Sequence, residues 1–461
     1  MKKKKFCVLA CFFAACFIAC NDKDDDLNGS VHDPSMPVEI HTFLPDSGHI
    51  REKVVIKGTN FGNDVSQVEV FFQDDVATRK ATVIGVEGEA IYCLAPRQNG
   101  GNNAIRIVIA GGDTITGDVR FRYTVSENIS TIIGGDGLWV NPATVPITDG
   151  KLSDARTDYV GGIACLGNES GIVFDNGYSA VRYFSVPDNT VVLLQQGFIA
   201  AKPAVSSDRT KVYAVRFDGT HTIYRYSKDN GWAPGRVGEL GSSVNDGANT
   251  LSLSYIGSLT FADNDNQLYF CDRYGVFGYF DISSQQVVIV NSDLEIPDYG
   301  GSMSSGYNEF EKVGFLVYDK TNDCFFFSAP WAYSIYKISR DGQQAELYAG
   351  SPSTSAISDG YRTDCSFRMP HGLTLDDDGN IYVTDGSRAG GFGIRKISTD
   401  GYVSLVAGDP TIVNIPSDRL AIDGPPLSSR FIYPCEIAYD GEGAFWIGEG
   451  WGRRLRKYAV E

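Results

Sequence analysis

The sequence predicts an all-β protein in which a β-sandwich precedes six copies of a four-stranded unit. Three observations carry this. Seven short β-rich runs separated by turn residues lie between Met36 and about Ser126. From Asn128 onward one strand-turn-strand pattern recurs to the C-terminal end. The composition agrees: 12% of residues are aromatic, and 51 Gly supply the turns that an all-β chain of 461 residues needs.

The N-terminal segment comes first in order. Four lysines, Lys2 to Lys5, precede an apolar run from Phe6 to Ala19 that is short for a membrane span, so residues 1–19 read as an export signal. The run ends in "FIAC", which resembles a bacterial lipobox, and the resemblance implies lipidation of Cys20. The following "NDKDDD" resembles the acidic tag of lipoproteins that glycan-foraging bacteria send to the outside of the outer membrane. Residues 20–35 are then an acidic tether, and the expected location is the outer membrane, lipid-anchored and facing the exterior.

Removing Lys2 to Lys5 with the signal takes the formal charge from −17 to about −21. Nucleic acid and polyanionic glycans would be repelled by such a body, which leaves neutral ligands as expected partners. Six cysteines remain after Cys20: Cys93, Cys165, Cys271, Cys324, Cys365 and Cys435. Their spacing matches no zinc motif, and apolar neighbours suggest small buried hydrophobes.

Residues 36–127 contain the sandwich runs, among them "VEIHTFLPDSG", "KVVIKGTNFG", "VEVFF" and "NAIRIVIAG". "GTNFG" following a strand, with Pro45 and Gly48 before it, resembles the IPT/TIG family of immunoglobulin-like domains. In this resemblance the glycines permit a turn and Phe61 plugs the end of the sandwich. The family implies a spacer or interaction module.

Residues 128–461 hold the repeat. The clearest copies are "HGLTLDDDGNIYVTDGSRAGGFGIRKISTDGYVSLVAG" (His371 to Gly408) and "CEIAYDGEGAFWIGEGWGRRLRKYAV" (Cys435 to Val460). Fainter copies begin near Gly161, Pro203, Gly257 and Val313. The pattern resembles NHL repeats, each a blade of a β-propeller, so the implied fold is a six-bladed NHL-type propeller. The last copy lacks a fourth strand, whereas "STIIGG" (Ser130 to Gly135) stands before the first copy. That strand is expected to complete the last blade and close the ring, removing exposed sheet edges.

The turns between second and third strands should share the mouth of the channel in such a fold. Aligned, they place Tyr178, Tyr274, Trp331 and Trp451 at corresponding positions, with Tyr333 beside Trp331. Aromatic rings there could stack on sugar faces, or each could fold back onto its own blade. Three long connections carry Asp149-Gly150, Asp359-Gly360 and Asp423-Gly424, with Arg156 and Arg430 seven residues after the first and third aspartates. The repetition points to a structural turn, with Trp139 and Tyr361 as further contact residues.

Catalysis has few candidates. Only His221 and His371 fall in the repeat, too few for a three-histidine metal site, and neither HExxH nor GxSxG occurs. Glu436, Glu449, Asp385, Asp272, Asp175 and His371 could serve acid–base roles, and Glu436, His371, Glu449 and Arg430 could offer polar contacts. Acidic turns such as Asp376 to Asn380 lack the pattern of a calcium loop. The resemblance to bacterial surface glycan-binding lipoproteins implies capture of a neutral polysaccharide or oligosaccharide without cleavage or cofactor, for a neighbouring outer-membrane transporter. A glycan lyase or hydrolase and a protein-interaction scaffold are the alternatives.

Overall fold

The computed structural model describes residues 31–460, apart from 76, 99, 113, 135–146, 246–249, 255, 297–312, 353, 388–389 and 414–420. Cys20, the signal, most of the tether and Trp139 therefore lie outside the described residues. The chain divides into two compact units between Tyr123 and Thr124.

The first unit has a three-stranded sheet of Glu39–Leu44, Lys53–Gly62 and Thr82–Leu94. A five-stranded sheet orders Ser47–Gly48, Ile115–Tyr123, Gly101–Ile109, Val68–Gln73 and Thr78–Lys80. Alternation sets the inner face: Val68, Val70 and Phe72 are buried while Glu69, Phe71 and Gln73 are only partly so. Phe72 meets Phe121 edge-on at 5.2 Å in the core. The "GTNFG" segment behaves as its residues predict. Phe61 is buried, Asn60 and Gly62 take left-handed backbone at φ 63° and 80°, and a Cβ on Gly58 would overlap both the Glu39 carbonyl and the Phe61 ring.

Among its described residues the second unit has six larger sheets in succession, with a two-stranded sheet of Ser243–Asn245 and Thr250–Ser252 between the second and the third. The first comprises Val160–Gly167, Ser170–Asp175, Ala180–Ser185 and Thr190–Gln196. The second comprises Ala204–Val205, Lys211–Val215, Thr222–Ser227 and Pro234–Glu239. The third holds Gln267–Cys271, Phe277–Asp281 and Gln286–Asn291, with Thr260 bridging Tyr269 where a first strand would run. The fourth comprises Leu316–Asp319, Cys324–Ala329, Ser334–Ser339 and Ala345–Gly350.

The fifth comprises Pro370–Leu375, Ile381–Ser387, Gly390–Ile397 and Tyr402–Val413, with Gly360–Tyr361 added to its outer edge. The sixth comprises Pro434–Tyr439, Ala444–Glu449 and Leu455–Val460, and its fourth strand is Glu127–Ile133 from the start of the unit. The pairing runs antiparallel from Leu455 opposite Ile133 to Val460 opposite Glu127.

Inner strands of neighbouring sheets lie side by side. Lys202 and Ser258 form a parallel bridge, as do Ile256 and Gly314, and the first strand of the sixth sheet packs against those of both the fifth and the first. The acidic hairpin turns are held by their own carboxylates: Asp376 Oδ1 accepts from Asp378 N at 3.0 Å and Asn380 N at 2.9 Å. The six cysteines among the described residues are buried, and none of them joins another in a disulfide.

Candidate functional site

Because adjacent inner strands run parallel, the turns linking second to third strands gather at one end of the second unit. The aromatics expected to ring that end take different positions. Tyr274 is 52% exposed, Tyr333 and Trp451 are half-buried, and Tyr178 and Trp331 are buried at 6% and 2% exposure.

Trp331 is thus no solvent-facing platform. Pro330–Ala332 form one 3₁₀ turn, and Tyr333 closes it in the left-handed region at φ 49°. The indole packs near Phe327, with ring centroids 6.1 Å apart, and beneath the Arg273 guanidinium at 5.1 Å. Tyr178 is held by its backbone, its N–H donating to Asp175 and its carbonyl accepting from Gln196 Nε2 at 2.7 Å. Tyr361 lies elsewhere. It pairs with Tyr402, at the turn between third and fourth strands, which is the opposite end of the sheet from the second-to-third turn.

The Asp-Gly elements are structural, and three buried arginines explain them. Arg182, Arg395 and Arg456 stand on third strands beside a register shift, opposite Leu193, Leu405 and Thr131. The shift frees an outer-strand N–H, which the Asp-Gly aspartate accepts: Asp149 from Leu193 at 2.7 Å, Asp359 from Leu405 at 3.1 Å, and Asp423 from Thr131 at 2.9 Å. The same aspartates lie 3.5, 2.9 and 2.8 Å from Arg182, Arg395 and Arg456.

Each arginine also donates to two carbonyls, one from the residue before the aspartate and one from the residue seven after it. The latter are Arg156, Ser366 and Arg430. In this element Arg430 holds through its carbonyl, which is why Ser366 can stand at the equivalent place.

The carboxylates at the ends of second strands complete these networks. Glu449 Oε1 accepts from Arg456 at 3.1 Å and Ile432 N at 2.9 Å, and Asp385 accepts from Met369 N at 2.8 Å and lies 3.5 Å from Arg395. Burial pushes both carboxyls upward against the pull of their arginines. Burial likewise raises Asp175, facing Arg182, and Asp272, held by backbone N–H groups, to about 6 each.

Glu436 and His371 are the remaining acid–base candidates, and both are inward. Glu436 Oε1 lies 3.0 Å from Lys202 Nζ; the glutamate is fully buried and the lysine nearly so. Lys202 Nζ also donates to the Ile437 carbonyl at 3.3 Å. Burial, opposed by Lys202, pushes the Glu436 carboxyl up to about 7. His371 is 1% exposed, with Nε2 3.3 Å from the Tyr433 hydroxyl, and burial lowers it to about 3, so the ring is neutral.

The open space at the turn end lies elsewhere. A cavity of about 340 Å³ is lined by Phe217, Asp218, Gly219, His221, Ser242, Leu253 and Ser254, from the second sheet's turn and its connection to the third. His221 Nδ1 lies 2.9 Å from the Gly241 carbonyl, which can only accept, so Nδ1 is the donor of that bond. Trp331 neighbours this site through Arg273, whose guanidinium stacks on the indole and whose backbone N–H donates to the Ser254 carbonyl at 3.5 Å. The sequence reading counted His221 but passed over Phe217. The available signal was an aromatic and a histidine flanking Asp218-Gly219-Thr220, one position out of line with the other turns. Among the described residues, no group of three His, Cys, Asp or Glu gathers as a metal site.

A family model for the IPT/TIG domain matches residues 37–123, and one for the NHL repeat matches residues 367–389. A crystal structure of a Bacteroides thetaiotaomicron protein of unknown function is 39% identical, covering 94% of this chain and 100% of its own, with a TM-score of 0.77. The chain belongs to this family of proteins joining an IPT/TIG domain to NHL repeats. The fold is shared with an auxiliary nutrient binding protein from Bacteroides ovatus, at 19% identity over 94% of this chain and 100% of that one, TM-score 0.56. It is shared too with a candidate phosphatase from Bacteroides thetaiotaomicron, at 17% identity over 94% and 99%, TM-score 0.55. No curated protein matches.

Proposed function

We propose that the six sheets form a closed six-bladed propeller of NHL type, and that this family member binds a neutral polysaccharide or oligosaccharide without cleaving it. The observation that carries the reading is the cavity at the turn end. Phe217 offers an aromatic surface, while His221, Asp218, Ser242 and Ser254 offer polar groups suited to sugar hydroxyls. Tyr274, 52% exposed, stands on the neighbouring turn of the third sheet beside Arg273.

Two further facts support it. The carboxylates and the histidine considered for catalysis are enclosed in structural contacts, and a general acid or base must reach its substrate. A protein sharing the fold is described as an auxiliary nutrient binding protein. A lipid on Cys20, the acidic tether and the sandwich as a spacer would hold the site outside the outer membrane beside a glycan transporter.

Affinity electrophoresis of the purified protein against a broad panel of neutral polysaccharides tests the reading, with an assay for new reducing or unsaturated ends. Retardation without new ends is expected. New ends would favour a lyase or hydrolase, and no retardation on any glycan would leave the scaffold alternative. Radiolabelled palmitate should enter the protein in its host and be lost from Cys20→Ala.

A further inference from the structure

We propose that Tyr361 and Tyr402 form a second glycan-binding surface on the outer edge of the fifth sheet, one that stacks on a sugar ring of the same neutral chain held at the cavity. The inference rests on the reading that the protein binds glycan. Tyr361 is 55% exposed and Tyr402 40% exposed, directly paired across the edge strand, with ring centroids 4.9 Å apart and planes at 67°. Beyond their contact with each other, the two tyrosines keep about half of their surface in water. Asp400, which accepts from Tyr402 N at 3.4 Å, borders the rings with a hydrogen-bond acceptor.

The molecule supplies its own comparison. The Asp-Gly edge element occurs three times, and the residue after the glycine is Lys151, Tyr361 or Pro425. Gly150 bridges Val191 and Gly424 bridges Ile129, as Gly360 pairs with Val403. That register sets Thr190 opposite Lys151 and Asn128 opposite Pro425, where the fifth sheet has Tyr402 opposite Tyr361. The element therefore folds without an aromatic at either position. The tyrosine pair answers a requirement other than the edge itself. Aromatic faces take the apolar C–H face of a sugar, and the acidic body of the protein, formally −17, favours a neutral chain.

Located at the opposite end of the sheets from the cavity, the pair would engage only a chain long enough to reach both. The test is a double variant, Tyr361→Lys with Tyr402→Thr, which installs residues the first sheet already accepts at these places. Binding is measured by calorimetry with a polysaccharide that retards the wild type and with a short oligosaccharide of the same glycan. The variant should melt like the wild type and bind the oligosaccharide equally. It should bind the polysaccharide at least about tenfold more weakly, as loss of a linked contact predicts. Unchanged polysaccharide affinity would overturn the second surface alone. So would an equal loss on the oligosaccharide, or a wild-type dimer that the variant dissolves. A wild type that binds no glycan would overturn both readings.

Discussion

Lys202 Nζ and Glu436 Oε1 lie 3.0 Å apart although 234 positions separate them in the chain. The pair joins the segment leading into the second sheet to the inner strand of the sixth. Such a pair offsets the cost of burying two charges only while both partners remain. Lys202→Met alone should therefore cost about 3–5 kcal/mol, read from urea unfolding. Adding Glu436→Gln should recover a large part of that loss. Single effects that merely add would contradict the coupling.

Asp423 holds Thr131 through both the backbone N–H and the hydroxyl, each at 2.9 Å, and so ties the first strand of the second unit to its last sheet. Asp423→Ala removes charged hydrogen bonds and an ion pair to Arg456, and should cost about 1.5–3 kcal/mol. Amide hydrogen exchange gives the sharper readout. Exchange at Thr131 should rise well before that of Ile447, which is fully buried in the same sheet. Equal rises at both would indicate global unfolding and no local tie.

Trp331→Ala should behave as a core truncation, destabilising by about 3–5 kcal/mol. Protein that remains folded should keep measurable glycan affinity. Intact stability together with abolished binding would place the indole in contact with ligand, contrary to its 2% exposure.

How far the sequence revealed these features depended on whether the decisive interaction was local. The fold was legible because alternation, "GTNFG" and the recurrent hairpins are short-range signals, and the unpaired "STIIGG" pointed to its partner strand. The Asp-Gly elements were legible as structure but not as arginine networks, since Arg182, Arg395 and Arg456 follow their aspartates by more than thirty residues. Turn position alone did not tell the exposed Tyr274 from the buried Tyr178 and Trp331. Side-chain direction at Trp331 is set by a 3₁₀ turn and at Tyr361 by an added edge strand, and neither leaves a periodic trace. Lys202 and Glu436 meet only because the inner strands pack together, which no spacing announces.

His371 makes the protein sensitive to acid. Its folded value is lowered to about 3 from an ordinary 6.5, so its contribution is fully present above pH 6.5 and is lost as pH falls toward 3, where the unfolded chain takes up a proton that the folded one refuses. At pH 5 the loss amounts to about 2 kcal/mol. His371→Gln keeps a partner for Tyr433 and cannot titrate, so the wild type should lose more stability than this variant between pH 8 and pH 5. Parallel pH profiles would contradict the neutral buried ring.

The cavity between the second and third sheets is tested most directly by titration calorimetry of wild type, Phe217→Ala and His221→Ala against a neutral glycan that retards the wild type. Binding without product formation is expected for the wild type. A loss of at least about tenfold, corresponding to 1.4 kcal/mol, is expected in each variant while the melting transition stays cooperative. Undiminished affinity in both variants would contradict the cavity as the glycan site.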